Sequence, residues 1–471
     1  MGIGLQKNKI LEQILDEVDK HPEIMSRRDA FKYLTLSPLA ASLIAGTTIS
    51  SSALHASNAR EKIIIVGGGP AGISTAARLN NTLNNADITI IEKDPLSASY
   101  RAGLTLVASG IWTIDEIKYK TDDKIPEGVT LIKGDVTSYD PKNNTLTINQ
   151  KEEIKYDQLI IATEDVLDYS SIKGLDAKIT SSSEDLNALK KSGLTKNGLH
   201  SLFFQDGAVA TWGGVQELIE KAKIHTGSTK LKAIFTHPNI PIQYACQAKE
   251  IMYLVHSRLL EAKVRDKVEM IFSTSSTSMF GINEFDKAIE KQFKKRDFQF
   301  NYNHNLIELD APNKVAIFNK NDGKLEKIEL RYDFLHVTPR LNPPHTITNS
   351  PLATSNGLVS INKETLQHLQ FKNVWSLDAI NGSIAKQHLV LCDNIVIYMQ
   401  NKAAQLTKYN GYHAYPLVTN IGSVMYAEYN LNMELSPTLP LNATQERWIW
   451  WLMKIYILKP LTMLKMMKGY A

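Results

Sequence analysis

Residues 62–92 constrain this 471-residue chain more than any other stretch. Lys62-Ile63-Ile64-Ile65-Val66 is an apolar, β-branched run, as a strand buried on both faces requires. Gly67-Gly68-Gly69-Pro70-Ala71-Gly72 follows at once, and a helix is predicted over Ile73–Asn80. Gly67 permits a tight turn, Gly69 lets backbone approach a pyrophosphate, and Gly72 lets the helix pack close to the strand. The helix would point free N–H groups and its positive dipole end at that pyrophosphate. Glu92 lies 20 residues beyond Gly72, at the end of a second apolar run. A carboxylate there accepts hydrogen bonds from a ribose diol. The unit therefore predicts a dinucleotide site, for FAD or NAD rather than NADP.

Composition sets the bounds around it. The chain is 43% hydrophobic and 22% charged, as in an ordinary globular protein, and its length predicts two or three domains. A net charge of +4 gives no reason to expect a nucleic-acid partner. Two cysteines, Cys246 and Cys392, are too few for a disulfide scaffold or a cysteine zinc site. The histidines lack HxxxH or HExxH spacing, and no metal is expected.

Residues 1–59 read as a polar leader. Ser26-Arg27-Arg28-Asp29-Ala30-Phe31-Lys32 precedes a weakly apolar run from Tyr33 to Ile49 and small residues near Ala56. That run is too short and polar for a membrane span. The pattern predicts a twin-arginine export signal, and hence a periplasmic protein peripheral on the inner membrane.

The rest of the chain reads as α/β. Strands are expected at Val129–Lys133, Thr145–Asn149 and Tyr156–Thr163. In flavoproteins with two dinucleotide domains, the last of these ends in Ala-Thr-Gly beside the cofactor. Here it ends Ala162-Thr163-Glu164. A second α/β unit is predicted over 171–335, with a helix from Ala248 to Ala262 carrying Ile251, Leu254, Val255 and Leu259 on one side. No second GxGxxG occurs in it, which argues against NAD(P)H as electron donor. Val374–Leu377 and a helix near Lys386 would return the chain to the first domain, giving boundaries of 60–170 and 336–404 for that domain. The remaining region, 405–471, ends in a tail from Arg447 to Lys468. Trp448, Trp450 and Trp451 there are interleaved with Met, Leu and Lys. Such a segment suits a membrane interface, with its lysines at the headgroups. The alternative is a core or dimer-interface helix pair, which leaves a homo-oligomer open.

Several stretches carry a family resemblance: Cys246-Gln247-Ala248-Lys249-Glu250-Ile251-Met252-Tyr253-Leu254, Leu335-His336-Val337-Thr338-Pro339, Tyr409-Asn410-Gly411-Tyr412 and Met467-Lys468-Gly469-Tyr470. With them, residues 62–471 resemble the sulfide:quinone oxidoreductase family, in its mitochondrial-type branch. The resemblance implies two Rossmann-like dinucleotide-binding domains of the glutathione-reductase type, FAD in the first, and amphipathic C-terminal helices docking on a membrane beside a quinone pocket. It implies electron flow from sulfide, or another small reduced sulfur donor, through flavin to membrane quinone. Cofactor contacts are expected from Gly67, Gly69, Gly72, Glu92, Val136, Thr163 and Asp378. Cys246 is the expected sulfur-bearing nucleophile, and Lys386 is expected to stabilise reduced flavin or quinone.

The sequence also departs from the family. The second redox cysteine, which directly follows the late Asp, is here Ala379. Cys392 lies six residues beyond Lys386, about 9 Å further along a helix, and reads as a small buried residue. Two alternatives follow: the same flavin and quinone ends with a different donor, or a catalytically silent relative acting as a binding protein.

Overall fold

The computed structural model describes residues 61–175, 178–179, 197–238, 242–321, 325–377, 384–439 and 441–470. The paired arginines, and Asp378 with Ala379, lie outside the described residues.

The apolar run at Lys62–Val66 is the central strand of a five-stranded parallel sheet. The order is Val374–Ser376, Gln158–Ile161, Lys62–Val66, Asp87–Glu92 and Thr130–Lys133. Side chains alternate across this strand. Ile63 and Ile65 pack with Ile73 of the glycine-loop helix Pro70–Thr82 and with Val390 of the helix Ile384–Gln400. Ile64 and Val66 pack on the other face with Tyr139, Leu146 and Ile148. Those three belong to an antiparallel sheet of Val136–Asp140, Thr145–Ile148 and Glu152–Lys155. Burying each isoleucine stabilises by about 2 kcal/mol relative to exposure. The strand is thus sandwiched between helices and a second sheet, which is why it shows no polar alternation.

The second unit repeats the plan. Leu199–His200, Phe334–His336, Leu231–His237, Val268–Thr274 and Phe298–Asn301 form another five-stranded parallel sheet in that order. The helix bearing Cys246 runs Ile242–Glu261, starting earlier than its apolar spacing predicts. An antiparallel sheet of His304–Asp310, Val315–Asn321 and Leu325–Arg331 was not legible as such. Neither was the hairpin His413–Asn420 with Ser423–Tyr429.

The tail forms a helix at Trp448–Met453, a π-helical stretch at Lys454–Leu458 and a helix at Lys459–Leu464. Its first turn is core: Trp448 and Trp450 are buried, and Trp450 stacks on Tyr426 at 5.0 Å. The start of the tail follows the alternative of a core helix, and the expectation of lysines at the headgroups fails at Lys454. Lys454 is buried and paired with Glu250 at 2.6 Å. The exposed part is later, at Tyr456 and Leu464. No helix among the described residues is long and apolar enough to cross a membrane.

Candidate cofactor cleft and C-terminal polar cluster

The glycine loop forms a cradle that other residues would not fit. Gly67 has φ of +112°, and a Cβ there would lie 2.4 Å from the Ala162 carbonyl oxygen. At Gly72 a Cβ would lie 1.9 Å from the Gly67 carbonyl oxygen. The helix therefore starts at Pro70, against the strand, with Gly69 as N-cap and no side chain capping it. Its first amides are left to an anion.

A cleft of about 440 Å³ opens above this loop. Gly67, Gly69, Glu92, Val136 and Thr163 line it together. Gly72 does not; it holds helix and strand together from behind. Asp378 lies outside the described residues. Glu92 accepts a hydrogen bond from the Gly68 amide at 2.6 Å and from the Asp94 amide at 3.0 Å, so its carboxylate fixes the loop. The cradle, the uncapped helix and the acid at the second strand end fit the adenosine diphosphate half of a dinucleotide.

Two lining residues were not expected as cofactor contacts. Arg101 donates to Glu164 at 2.6 Å, placing an ion pair beside the glycine loop. Glu164 is the residue that replaces the usual glycine at this strand end. Next to it, Asp165 has its carboxyl pushed up by burial, with Arg101 opposing and Glu164 adding to the shift. Tyr119 is pushed up by burial first and then by Glu164 and Glu92, so both carboxylates act on the same cleft.

Cys246 is not among the residues lining this cleft. It is 0% exposed in the core of the second unit, and burial pushes its thiol up to about 12. Lys249, on the same helix, opposes that shift without cancelling it. Burial of this kind disfavours the thiolate, so the nucleophile expected at Cys246 is held here as a thiol that must first lose its proton. Cys392 packs in the core of the first unit, with Sγ 3.7 Å from the Thr75 carbonyl oxygen. The cysteines occupy different cores, and neither is bonded to the other.

Lys386 is at the start of the helix Ile384–Gln400, outside the glycine-loop cleft. Its ammonium lies 3.5 Å from the Tyr412 ring centroid. Burial pushes its pKa down, with Glu428 opposing. The Tyr412 hydroxyl donates to Glu428 and lies 3.0 Å from Thr438 Oγ1. Glu428 is 2% exposed, and burial raises its carboxyl pKa. Lys386, Tyr412 and Glu428 thus form a half-buried polar cluster between helix and C-terminal hairpin. Tyr412 stands in the quoted motif Tyr409–Tyr412, but Glu428 gave no signal. It lies in the strand Ser423–Tyr429, which pairs with His413–Asn420 and with Glu446–Arg447.

The carboxyl ends of the second sheet are the place for a second nucleotide. There the space among Thr236, His237, Asn305 and Thr338 is about 10 Å³, too small for more than one water.

These features define a flavoprotein-type oxidoreductase built from two Rossmann-like units. Residues 61–197 match the family described as pyridine nucleotide-disulphide oxidoreductase. The mitochondrial sulfide:quinone oxidoreductase of Dictyostelium discoideum is 31% identical, over 87% of this chain and 86% of the relative. That of Mus musculus is 30% identical, over 87% of each. Among solved structures, the sulfide:quinone oxidoreductase of Aquifex aeolicus superposes with a TM-score of 0.68 at 19% identity, covering 85% of this chain and 91% of the other. A chain of the Tetrahymena thermophila mitochondrial ATP synthase also gives a TM-score of 0.68, at 15% identity, over 88% and 98%. The chain belongs to the sulfide:quinone oxidoreductase family, and so is an FAD-dependent oxidoreductase. The relatives also correct the expected location. They are mitochondrial proteins by name, against a periplasmic protein exported by a twin-arginine signal.

Proposed function

We propose that this protein takes an electron pair from a small reduced sulfur donor such as sulfide and passes it through FAD to a membrane quinone. The observation that carries the reading is the cleft that joins Gly67, Gly69, Glu92 and Thr163, in a chain 31% identical to a sulfide:quinone oxidoreductase. Bound there, FAD would accept the electron pair from the donor and release it to the quinone. The chain's own residues would do the rest. Gly67, Gly69 and Gly72 would shape the diphosphate cradle, and Glu92 would take the ribose hydroxyls. Val136, Thr163 and Asp378 would flank the rest of the cofactor. Lys386 and Glu428 would hold charge and proton at the quinone end, since quinone reduction consumes protons. The exposed stretch around Tyr456 and Leu464 would rest on a mitochondrial membrane. The lack of a second GxGxxG in 171–335 argues against NADH as donor.

The two-cysteine route is not part of this proposal. Ala379 stands at the second position, and Cys246 is sealed in the core. Glu164 favours a second reading, a flavin-free relative acting as a binding protein, because it adds a carboxylate to the cofactor cleft.

One experiment separates the readings. The purified full-length protein is examined by absorbance before and after anaerobic addition of sulfide, and then of a soluble quinone. Bleaching by sulfide and recovery with quinone is the expected result. A flavin spectrum indifferent to sulfide would overturn the donor, and the absence of flavin would overturn the reading as a whole.

A further inference from the structure

The cofactor cleft is electrostatically set against its ligand. Among its described lining residues are five carboxylates and two of the cations Lys and Arg. Lys93 is drawn to Asp135 at 3.1 Å, and Arg101 to Glu164 at 2.6 Å. Glu92 is engaged with the glycine loop. A dinucleotide must bring a dianionic diphosphate to the helix start beside Gly69. Glu164 reaches the same place: a Cβ on Gly69 would lie 3.7 Å from its Oε1. Glycine at this strand end would present no side chain there.

We propose that Glu164 is a built-in competitor for the cofactor's diphosphate, and that Arg101 is the cation for which the two compete. The inference rests on the FAD reading of the cleft and deepens it: cofactor retention would be set by an internal anion.

First, a guanidinium matches phosphate oxygens at least as well as a carboxylate, and binds either in a fork. Arg101 can therefore exchange one partner for the other. Second, the existing pair is cheap to break. Glu164 is 40% exposed, and ion pairs at a wet edge contribute little. Third, the freed carboxylate does not leave the cleft, because its backbone is fixed at the end of the Gln158–Ile161 strand. It would face the diphosphate as a like charge, in a partly water-excluded site where repulsion is stronger than in bulk water.

The test measures retention rather than turnover. Release of FAD from full-length protein is followed by flavin fluorescence, and ADP is titrated as a probe of the diphosphate end. Wild type is compared with Glu164→Gln, Arg101→Met and the double variant, in low and high salt. Glu164→Gln should hold FAD and ADP about tenfold more tightly in low salt. The gain should shrink in high salt, where exposed charges are screened. Arg101→Met should hold both more weakly, and in its background Glu164→Gln should gain less. Equal affinities for wild type and Glu164→Gln would overturn the competition and leave the cofactor reading standing. Weaker binding by Glu164→Gln would also overturn it, by showing that Glu164 presents Arg101 to the ligand. Failure of every variant to bind FAD or ADP would overturn the cofactor reading, and the inference with it.

Discussion

The Lys454 ammonium lies 2.6 Å from the Glu250 carboxylate, with the two side chains 6% and 1% exposed. Glu250 also accepts from Thr105 Oγ1 at 2.9 Å and from the Val418 amide at 3.0 Å. Lys454 donates further to the Pro416 carbonyl at 3.2 Å. Four separate stretches of chain are thus tied at one buried point. Removing one partner strands the other's charge in the core, which costs about 3–5 kcal/mol. Lys454→Met and Glu250→Gln are each expected to lower the unfolding midpoint and expose the tail to protease. Denaturant unfolding and limited proteolysis check this. The double variant Glu250→Gln/Lys454→Met should recover part of the loss, because it leaves no stranded charge.

The thiols give a prediction of the opposite kind. With Cys246 pushed up to about 12 and Cys392 raised also, both are protonated near neutral pH. Neither should react with iodoacetamide until the protein unfolds, as read by mass spectrometry. Cys246→Ala should leave donor-dependent flavin reduction within about twofold of wild type, at a cost of roughly 1 kcal/mol in stability. Loss of flavin reduction would restore Cys246 as the sulfur acceptor.

At the C-terminal cluster, the two half-reactions should separate. Glu428→Gln removes a proton-holding group without changing shape. Reoxidation by quinone is expected to slow roughly a hundredfold, while reduction by the donor is unchanged. Stopped-flow absorbance of each half-reaction measures this. The pH dependence has a definite sign. Burial raises the carboxyl pKa of Glu428, so the folded state retains a proton that the unfolded state gives up. Its contribution to stability is full below the ordinary value of 4.5 and declines as pH rises through the raised pKa. Glu428→Gln should flatten that decline.

Acid should loosen the second unit first. His200 and His336 are 4% and 0% exposed, and burial pushes them down to about 4 and about 3. Unfolded, each takes a proton near 6.5, which the folded state refuses. Stability is therefore unaffected above that pH and falls below it, towards the depressed values. Between pH 6.5 and roughly pH 5 the loss is on the order of 2 kcal/mol for each histidine. Unfolding midpoints across this range, for wild type and His336→Phe, check it. The variant should lose less stability on acidification.

Legibility in the sequence followed the range of the interactions. The glycine loop and Glu92 were readable because turn, helix start and acid lie within one continuous unit, and each residue type answers to a local demand. The Val374–Ser376 strand was readable from its apolar run. The antiparallel sheet at 304–331 was not, because its half-exposed strands mix polar and apolar residues without a clean alternation. Cys246 was readable as a cysteine in a recognisable stretch, but its burial depends on packing between helix and sheet. The same holds for Lys454, which looks like a surface lysine and is made internal by Glu250, 204 residues earlier. Glu164 was visible as a departure, and only the structure showed that Arg101 meets it.

Residues near both ends of the described chain share one core. Met467 packs among Ile63, Ile73 and Val390. Gly469 closes against the backbone of Ala77 and Arg78 in the glycine-loop helix. Asn81 donates to the Lys468 carbonyl at 2.9 Å. During synthesis, the strand at Lys62–Val66 therefore emerges some four hundred residues before its last neighbours. Its apolar faces and open strand edges wait until those distant residues have been made. A truncation that removes residues 466–470 would be felt at the first helix of the fold, and the nascent protein has a long interval in which it depends on chaperones to keep those edges apart.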